Sequence, residues 1–147
     1  MIKISLAPVD QIRNVWNDVS KHIKEATDYT YGRYEEIDVL HECLTGKFNL
    51  WVVYNERTEY IGAACTEVLV YPRKKALSVV FLSGDDFSEW VSEIDQKFVE
   101  FAKVLECDFV EACGRAGWER KVKKLGWLKR FSNFGVRDPR IEELPVR

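Results

Sequence analysis

One carboxylate and two histidines are the side chains of this sequence best suited to acid–base chemistry. Glu67 is the only acid inside the strand predicted over residues 60–71, where it could serve as a general base. A simpler interpretation is an outward-facing polar residue on a half-solvated strand. His22 and His41 lie on predicted helices without a paired acid or nucleophile, which predicts surface or helix-end positions for both. Glu67 is therefore the one candidate catalytic residue.

The cysteines do not form a metal-binding or disulfide pattern. They contain no CxxC pair and lie in apolar surroundings, at Cys43, Cys65, Cys107 and Cys113. This spacing predicts reduced, mostly buried thiols and no metal site.

Two stretches carry Tyr, Trp and Arg, the residue types that dominate protein–protein interfaces. The first stretch is aromatic, and its candidate protein-binding residues are Tyr29, Tyr31 and Tyr34. The second stretch is basic, and its candidate protein-binding residues are Arg115, Trp118 and Lys121. In the competing interpretation, the tyrosines close the core over a sheet edge and the basic cluster is the polar face of a short helix. A protein partner is the expectation from these two stretches.

Composition predicts a single domain over residues 1–147, with a short charged tail from about residue 137. Twenty-two Lys and Arg stand against 24 Asp and Glu, and this net charge of −2 gives no electrostatic reason to expect nucleic acid. The start MIKISLAPVDQIR lacks the apolar core of a signal peptide, and no later run is long enough to span a membrane. A cytoplasmic location is therefore expected.

Alternating strands and helices position these residues. Ile2, Ile4 and Leu6 alternate with polar residues as a strand does, and an amphipathic helix follows over 12–23. A shorter helix over 34–44 ends at Gly46, a residue suited to the left-handed turn that ends helices. Three antiparallel strands are predicted next, separated by polar turns, over 48–54, 60–71 and 76–82.

The second half of the chain begins with the most periodic helix, whose apolar face runs over 87–105. Asp86 and Glu89 resemble a capping box at the start of this helix. The remaining elements are a strand over 108–113, a short helix over 118–125 stopped by Gly126, and a strand over 131–136. The predicted fold class is α/β, a mixed, mostly antiparallel sheet flanked by helices in the order β-α-α-β-β-β-α-β-α-β.

This order of elements resembles the GNAT acetyltransferase fold over nearly the whole chain. The resemblance is most specific at the long strand over 60–71 and at Gly126-Trp127, which is similar to the Gly-Phe pair that closes the family's last helix. The resemblance implies that Trp127 packs under the sheet. It also implies an acetyl-CoA site where the fourth strand meets the third helix, formed by a Gln/Arg-x-x-Gly-x-Gly/Ala loop and the helix N-terminus.

The residues at that junction depart from the family's pattern. The junction reads LSGDDF, so the resemblance implies Leu82, Ser83 and Gly84 as cofactor-binding candidates, with Arg115 at the position of the family's Asn. The two acids after Gly84 would repel a pyrophosphate. Val122 stands where the family has a Tyr that acts as general acid, and an aliphatic side chain has no proton to donate.

Two hypotheses about function follow from the sequence. In the first, the chain is a non-catalytic protein-binding or structural component with a GNAT fold. It is similar to small proteins of tailed bacteriophages, including internal virion components, which implies phage structural proteins as partners and a virion location. In the second, the chain is an acetyl-CoA-dependent N-acetyltransferase with an atypical cofactor loop. A homo-oligomer is open under both hypotheses.

Overall fold

A computed structural model describes residues 1–30, 32–112 and 122–128. Within this part of the chain, the elements in order are β1 (Lys3–Leu6), α1 (Ile12–Thr27), α2 (Glu36–Leu44), β2 (Asn49–Tyr54), β3 (Tyr60–Val70), β4 (Lys75–Gly84), α3 (Phe87–Val104) and β5 (Phe109–Ala112). The order agrees with the sequence prediction through the fifth strand. The strand predicted over 131–136 and most of the helix predicted over 118–125 lie outside the described residues.

The described strands form one sheet in the order β1-β2-β3-β4-β5. Neighbouring strands are antiparallel from β1 to β4, whereas β5 runs parallel to β4. A parallel neighbour requires a crossover connection, and α3 supplies it. This mixed, mostly antiparallel sheet flanked by helices confirms the predicted fold class.

Apolar side chains cover both faces of the sheet. On one face, α1 and α2 bury residues such as Trp16, Val19 and Val39 against β2 and β3. On the other face, α3 buries Trp90 and Phe98, among others, against β2, β3 and β4. The central strands are therefore buried on both sides, which explains why their sequences read as nearly continuous apolar runs.

Local residue choices set the ends of the helices. The backbone N–H of Glu35 donates to Oδ2 of Asp38 at 2.9 Å, which satisfies a donor that the first turn of α2 leaves unpaired. Gly46, just after α2, has φ +83°, and Gly126 has φ +92°. Both glycines adopt the left-handed conformation expected where a helix ends. Among the described helices, none is long and apolar enough to cross a membrane.

The capping box expected at the start of α3 is a wrong prediction. Asp86 has φ +53° and ψ +38°, and its side chain makes no capping hydrogen bond. The Asp86 carbonyl instead accepts the backbone N–H of Glu89 at 2.9 Å. The chain leaves β4 through a turn that needs a left-handed residue, and Asp tolerates that conformation better than most residues with a side chain.

Trp127 is less buried than expected. Its side chain is half-buried, and Nε1 donates to Oδ1 of Asp95 on α3 at 2.6 Å. The indole therefore lies against α3 with its polar edge bound to a carboxylate. The resemblance implied that Trp127 packs in the core under the sheet, whereas the structure leaves its side chain half-exposed.

Candidate functional site

The junction between β4 and α3 holds three of the four cofactor candidates, Leu82, Ser83 and Gly84. The backbone N–H of Asp85 donates to the carbonyl of Ile61 on β3 at 2.7 Å. The carbonyl of Asp85 accepts a hydrogen bond from Nε1 of Trp90 at 2.8 Å. Both backbone polar groups of Asp85 are thus used within the fold and are not available to a ligand.

The N-terminus of α3 is surrounded by acidic residues. Asp85, Asp86 and Glu89 are all exposed, and Glu89 lies in the first turn. Helix N-termini attract anions because their free N–H groups carry partial positive charge. Here three acidic residues of the chain itself lie at or next to that helix end, so an anionic ligand meets repulsion as well as attraction.

Gly84 has a packing role that explains why it is glycine. It lies opposite Gly62 in the register of β3 and β4. A Cβ on Gly84 would come within 2.6 Å of the Gly62 Cα and the Ile61 carbonyl oxygen, and within 2.9 Å of Trp90 Cζ2. The glycine pair thus makes room for the Trp90 indole, which is fully buried.

Leu82 and Ser83 face opposite sides of β4. Leu82 packs with the α3 side of the core and is half-buried. Ser83 is buried on the α1 side, where its hydroxyl donates to Oε2 of Glu25 at 3.1 Å. The side chains of the two candidates therefore do not converge on one ligand. Arg115, the remaining cofactor candidate, lies outside the described residues.

The candidate base Glu67 is half-buried on β3 and belongs to a small charged group. Burial raises the pKa of Glu67, the charge of Lys47 opposes this increase, and the charge of Glu42 adds to it. Lys47 Nζ forms an ion pair with Oε2 of Glu42 at 3.2 Å. A carboxylate with a raised pKa can accept a proton, so Glu67 has the chemistry of a base. It pairs with Ser78, toward the other end of β4 from the β4–α3 junction.

The three candidate tyrosines have different environments. Tyr29 is 64% exposed, Tyr31 lies outside the described residues, and Tyr34 is half-buried. The Tyr34 ring packs edge-on against Phe81 with centroids 5.3 Å apart, and it also contacts Phe48 at 6.1 Å. Tyr34 thus contributes to closing the core over β4, and Tyr29 is the tyrosine with a large accessible surface.

Comparisons with known proteins give matches in structure and none in sequence. No protein family matches the chain, and no characterised protein matches its sequence. A predicted acetyltransferase from Clostridium acetobutylicum, solved with acetyl-CoA, superposes with a TM-score of 0.68 at 11% identity, covering 97% of this chain and 100% of the other. A GNAT family acetyltransferase from Staphylococcus aureus gives 0.61 at 13% identity, with coverages of 92% and 98%. A transcriptional regulator from Bacillus halodurans gives 0.68 at 13% identity, with coverages of 94% and 100%.

The chain has a GNAT fold. At these identities the likeness concerns the fold alone, because one fold serves many activities. At the β4–α3 junction, where the resemblance implies the cofactor loop, Asp86 adopts the αL conformation. The end of β4 in this chain carries two exposed acids and a closely packed glycine.

His22 is a residue whose position the sequence analysis predicted wrongly. It lies on the buried face of α1 and is only 1% exposed, and its Nε2 lies 3.5 Å from the carbonyl oxygen of Tyr60. Its Nδ1 has no hydrogen-bond partner among the described residues. The signal was present in the sequence, since His22 follows Val19 by three residues and extends the apolar stripe of α1.

The basic stretch is only partly within the described chain. Trp118 and Lys121 lie outside it, whereas Lys123 and Lys124 are described and exposed. The protein-binding role of this stretch therefore stays a prediction. In the described part of the chain, no group of three or more His, Cys, Asp or Glu side chains is arranged to hold a metal ion.

Proposed function

We propose that this chain uses the GNAT fold as a non-catalytic protein-binding or structural component. The observation that carries the proposal is the pair Asp85 and Asp86 at the end of β4, where a GNAT enzyme holds the pyrophosphate of acetyl-CoA. One acid has its backbone groups bound within the fold, and the other occupies the turn in a left-handed conformation.

Coulomb's law gives the size of the repulsion between these acids and a pyrophosphate. Two like unit charges about 5 Å apart repel by roughly 1 kcal/mol in water and roughly 3 kcal/mol at an effective dielectric constant of 20. A pyrophosphate would face two exposed carboxylates at the junction and a third on the first turn of α3. The attraction of a helix N-terminus, typically 0.3 to about 1 kcal/mol at a surface, is similar to one such repulsion in water and smaller than one at an effective dielectric constant of 20.

The exposed apolar residues fit a protein-binding role. Tyr29 and Ile37 are more than 60% exposed before and within α2, and Val70 and Val104 are more than 75% exposed at the ends of β3 and α3. The binding residues that we propose are the tyrosines at 29, 31 and 34 and, in the basic stretch, Arg115, Trp118 and Lys121. A place in a phage virion rests on the sequence resemblance alone, and phage structural proteins and a second copy of this chain are the partners to test.

The alternative function is acetyl transfer from acetyl-CoA to an amine. It is favoured by Glu67, because burial raises the pKa of this carboxyl toward the range useful to a general base. The solved structure of the predicted acetyltransferase from Clostridium acetobutylicum contains acetyl-CoA, which makes the cofactor the natural ligand to test.

The deciding experiment is a titration with acetyl-CoA followed by thermal unfolding. A ligand present at one hundred times its Kd stabilises the folded state by about 2.7 kcal/mol, which shifts the melting temperature of a domain of this size by several degrees. We expect no shift for the wild type at millimolar acetyl-CoA. A saturable shift, together with release of free CoA in the presence of an amine, would establish the alternative.

A matched variant separates the acids from the rest of the fold. Asp85→Asn combined with Asp86→Asn removes both charges and keeps the side-chain shapes. If the acids exclude the cofactor, this variant gains a melting shift with acetyl-CoA, whereas Asp10→Asn, an exposed acid at the start of α1, does not. In the same series, Glu67→Gln abolishes any CoA release that depends on Glu67 as a base.

A further inference from the structure

Two cysteines from distant parts of the chain meet in the core. Cys43 lies in the last turn of α2, and Cys65 lies in the middle of β3. Their sulfur atoms are 3.9 Å apart, and neither side chain is exposed to solvent. Both thiols are free. The fold thus forms a buried pair of thiols that their separation of 22 residues does not reveal in the sequence.

The surroundings of this pair are apolar. Val39, Phe48 and Phe81 belong to the same buried cluster as the two cysteines. A charged group is costly in such a place because it loses its hydration. Two thiolates bound to a monovalent metal ion would leave a net negative charge there, whereas a disulfide carries none. Formation of a disulfide is therefore the chemistry that this environment favours.

We propose that Cys43 and Cys65 act as a reversible redox switch, in which a disulfide formed by a hydroperoxide ties the end of α2 to β3. A cross-link between these residues closes residues 43–65 into a loop that contains the whole of β2. Such a closure stabilises a fold chiefly because it restricts the open chain. The switch goes beyond the proposed function, since it requires neither a partner nor acetyl-CoA.

Burial controls when the thiols react. The hydrogen bond with the Cys43 thiol and burial raise the pKa of Cys65 well above its usual range, so the closed pair holds little of the reactive thiolate. α2 is a helix of 9 residues on one face of the sheet, whereas β3 is paired with a strand on each side. Short outer elements open locally more easily than central strands. Opening of α2 therefore exposes Cys43 to the oxidant.

The reaction with hydrogen peroxide balances in two steps. In the first, the Cys43 thiolate attacks one peroxide oxygen, the O–O bond breaks, and the second oxygen leaves as hydroxide, which takes up the thiol proton to form water. In the second, after α2 closes, the Cys65 sulfur attacks the Cys43 sulfenic acid, the S–O bond breaks, and the departing hydroxide takes the Cys65 proton. The two sulfurs lose two electrons in total, and one peroxide becomes two waters. A dithiol such as dithiothreitol reverses the change by thiol–disulfide exchange.

Closure requires the two sulfur atoms to approach each other. A disulfide holds its sulfurs about 2.05 Å apart, so they must come closer by roughly 2 Å, through rotation of the side chains or movement of the end of α2. The turn that follows α2 reports the state of this helix end, because the amides of Thr45, Gly46 and Phe48 donate to carbonyls in its last turn at 3.0, 3.2 and 3.0 Å. Those hydrogen bonds break when α2 opens. The disulfide should therefore slow exchange of these three amides.

The experiment treats the full, reduced chain with a small molar excess of hydrogen peroxide, then alkylates free thiols and maps peptides without reduction. We expect the peptides that contain Cys43 and Cys65 to be joined, with the loss of two hydrogen atoms, and dithiothreitol to restore both thiols. Oxidation should raise the melting temperature by several degrees and slow exchange of the Thr45, Gly46 and Phe48 amides by about tenfold or more. Urea well below the unfolding midpoint should speed formation of the disulfide, because it favours the opening of α2.

Matched variants separate this pair from the other cysteines. Cys107→Ala, a substitution at a half-buried free cysteine, should keep the cross-link, the melting shift and the slower exchange. Cys43→Ala and Cys65→Ala should lose all three. The peptide map of the wild type decides the question if either of these two variants does not fold.

Three results would overturn the proposal. The first is that peroxide leaves Cys43 and Cys65 unlinked in the folded protein. The second is that either of them is linked instead to Cys107 or Cys113. The third is that the cross-link forms without slower exchange at the end of α2, which would show that the disulfide does not hold this helix closed.

Discussion

Alanine substitutions in the glycine pair test whether Gly62 and Gly84 are kept for packing under Trp90. A Cβ on Gly62 would lie 2.8 Å from Trp90 Cζ2 and 3.1 Å from Cη2, both atoms of a fully buried side chain. A Cβ on Gly84 would lie 2.6 Å from two backbone atoms of β3. Real Cβ atoms do not approach so closely, so something in the core must move in either variant.

The expected cost of each substitution is that of overpacking a core. We expect Gly62→Ala and Gly84→Ala each to lower the free energy of unfolding by roughly 1 to 3 kcal/mol, with Gly84→Ala the more costly. The reason for the difference is that backbone atoms of β3 cannot yield without disturbing the ladder, whereas an indole ring can shift. Stabilities of roughly 5 to 15 kcal/mol leave both variants folded.

A second substitution, Trp90→Phe, distinguishes the two clashes because it removes Cζ2 and Cη2. In the Trp90→Phe background, Gly62→Ala should cost little, giving a coupling energy of about 1 kcal/mol or more. Gly84→Ala should remain costly there, since its contacts with the β3 backbone persist. Gly46→Ala is the control: this glycine has φ +83° with no atom near its Cβ position, so its cost of about 1 kcal/mol is independent of Trp90.

Urea unfolding of the six variants, followed by tryptophan fluorescence and circular dichroism, measures these quantities. Equal costs for Gly62→Ala with and without Trp90→Phe would refute the packing explanation. A Gly84→Ala variant as stable as the wild type would also refute it. In that case the glycine at this position would be explained by a ligand.

Three further predictions concern single residues. Asp86→Gly should raise the free energy of unfolding by up to about 1 kcal/mol and Asp86→Ala should lower it by about 1 kcal/mol, because the left-handed backbone suits glycine and penalises alanine. Trp127→Phe should lower it by roughly 1 to 3 kcal/mol, the value of a hydrogen bond to a charged group, here Asp95. Burial raises the pKa of Glu67 in the fold, so the native state binds that proton more tightly than the unfolded chain does. The wild type should therefore lose stability relative to Glu67→Gln as the pH rises from 4.5 through the raised pKa.

Each of these three predictions has an outcome that would contradict it. If Asp86 were a side-chain cap, Asp86→Gly would weaken the protein rather than strengthen it. If Trp127 were a full core residue, Trp127→Ala would cost as much as other large-to-small core changes, roughly 3 to 5 kcal/mol, and Asp95→Asn would have no effect. A parallel pH dependence for wild type and Glu67→Gln would show that this carboxyl is as solvated in the fold as in the unfolded chain.

The order of the elements could be predicted because each element depends on local information. The apolar stripe of α3, the alternation in β1 and the glycine after α2 are visible within a few turns or residues, and the structure has all three where expected. The pairing of these elements into one sheet followed from their order and from resemblance to a known fold. Leu82, Ser83 and Gly84, three of the four cofactor candidates, lie at the end of β4, and their role stays a prediction.

The sequence by itself thus determined the elements, the fold class and the acids at the β4–α3 junction, since these depend on residue type and spacing. Tertiary structure decided what those residues do. Gly84 packs against Gly62 and Trp90, the Asp85 N–H binds the Ile61 carbonyl, and the Ser83 hydroxyl binds Glu25. Each of these partners is distant in sequence or on another element. The meeting of Cys43 and Cys65 likewise depends on the packing of α2 against β3. Hydrophobic periodicity is a local property of the chain, whereas clashes, hydrogen-bond partners and thiol pairs exist only after distant segments have packed together.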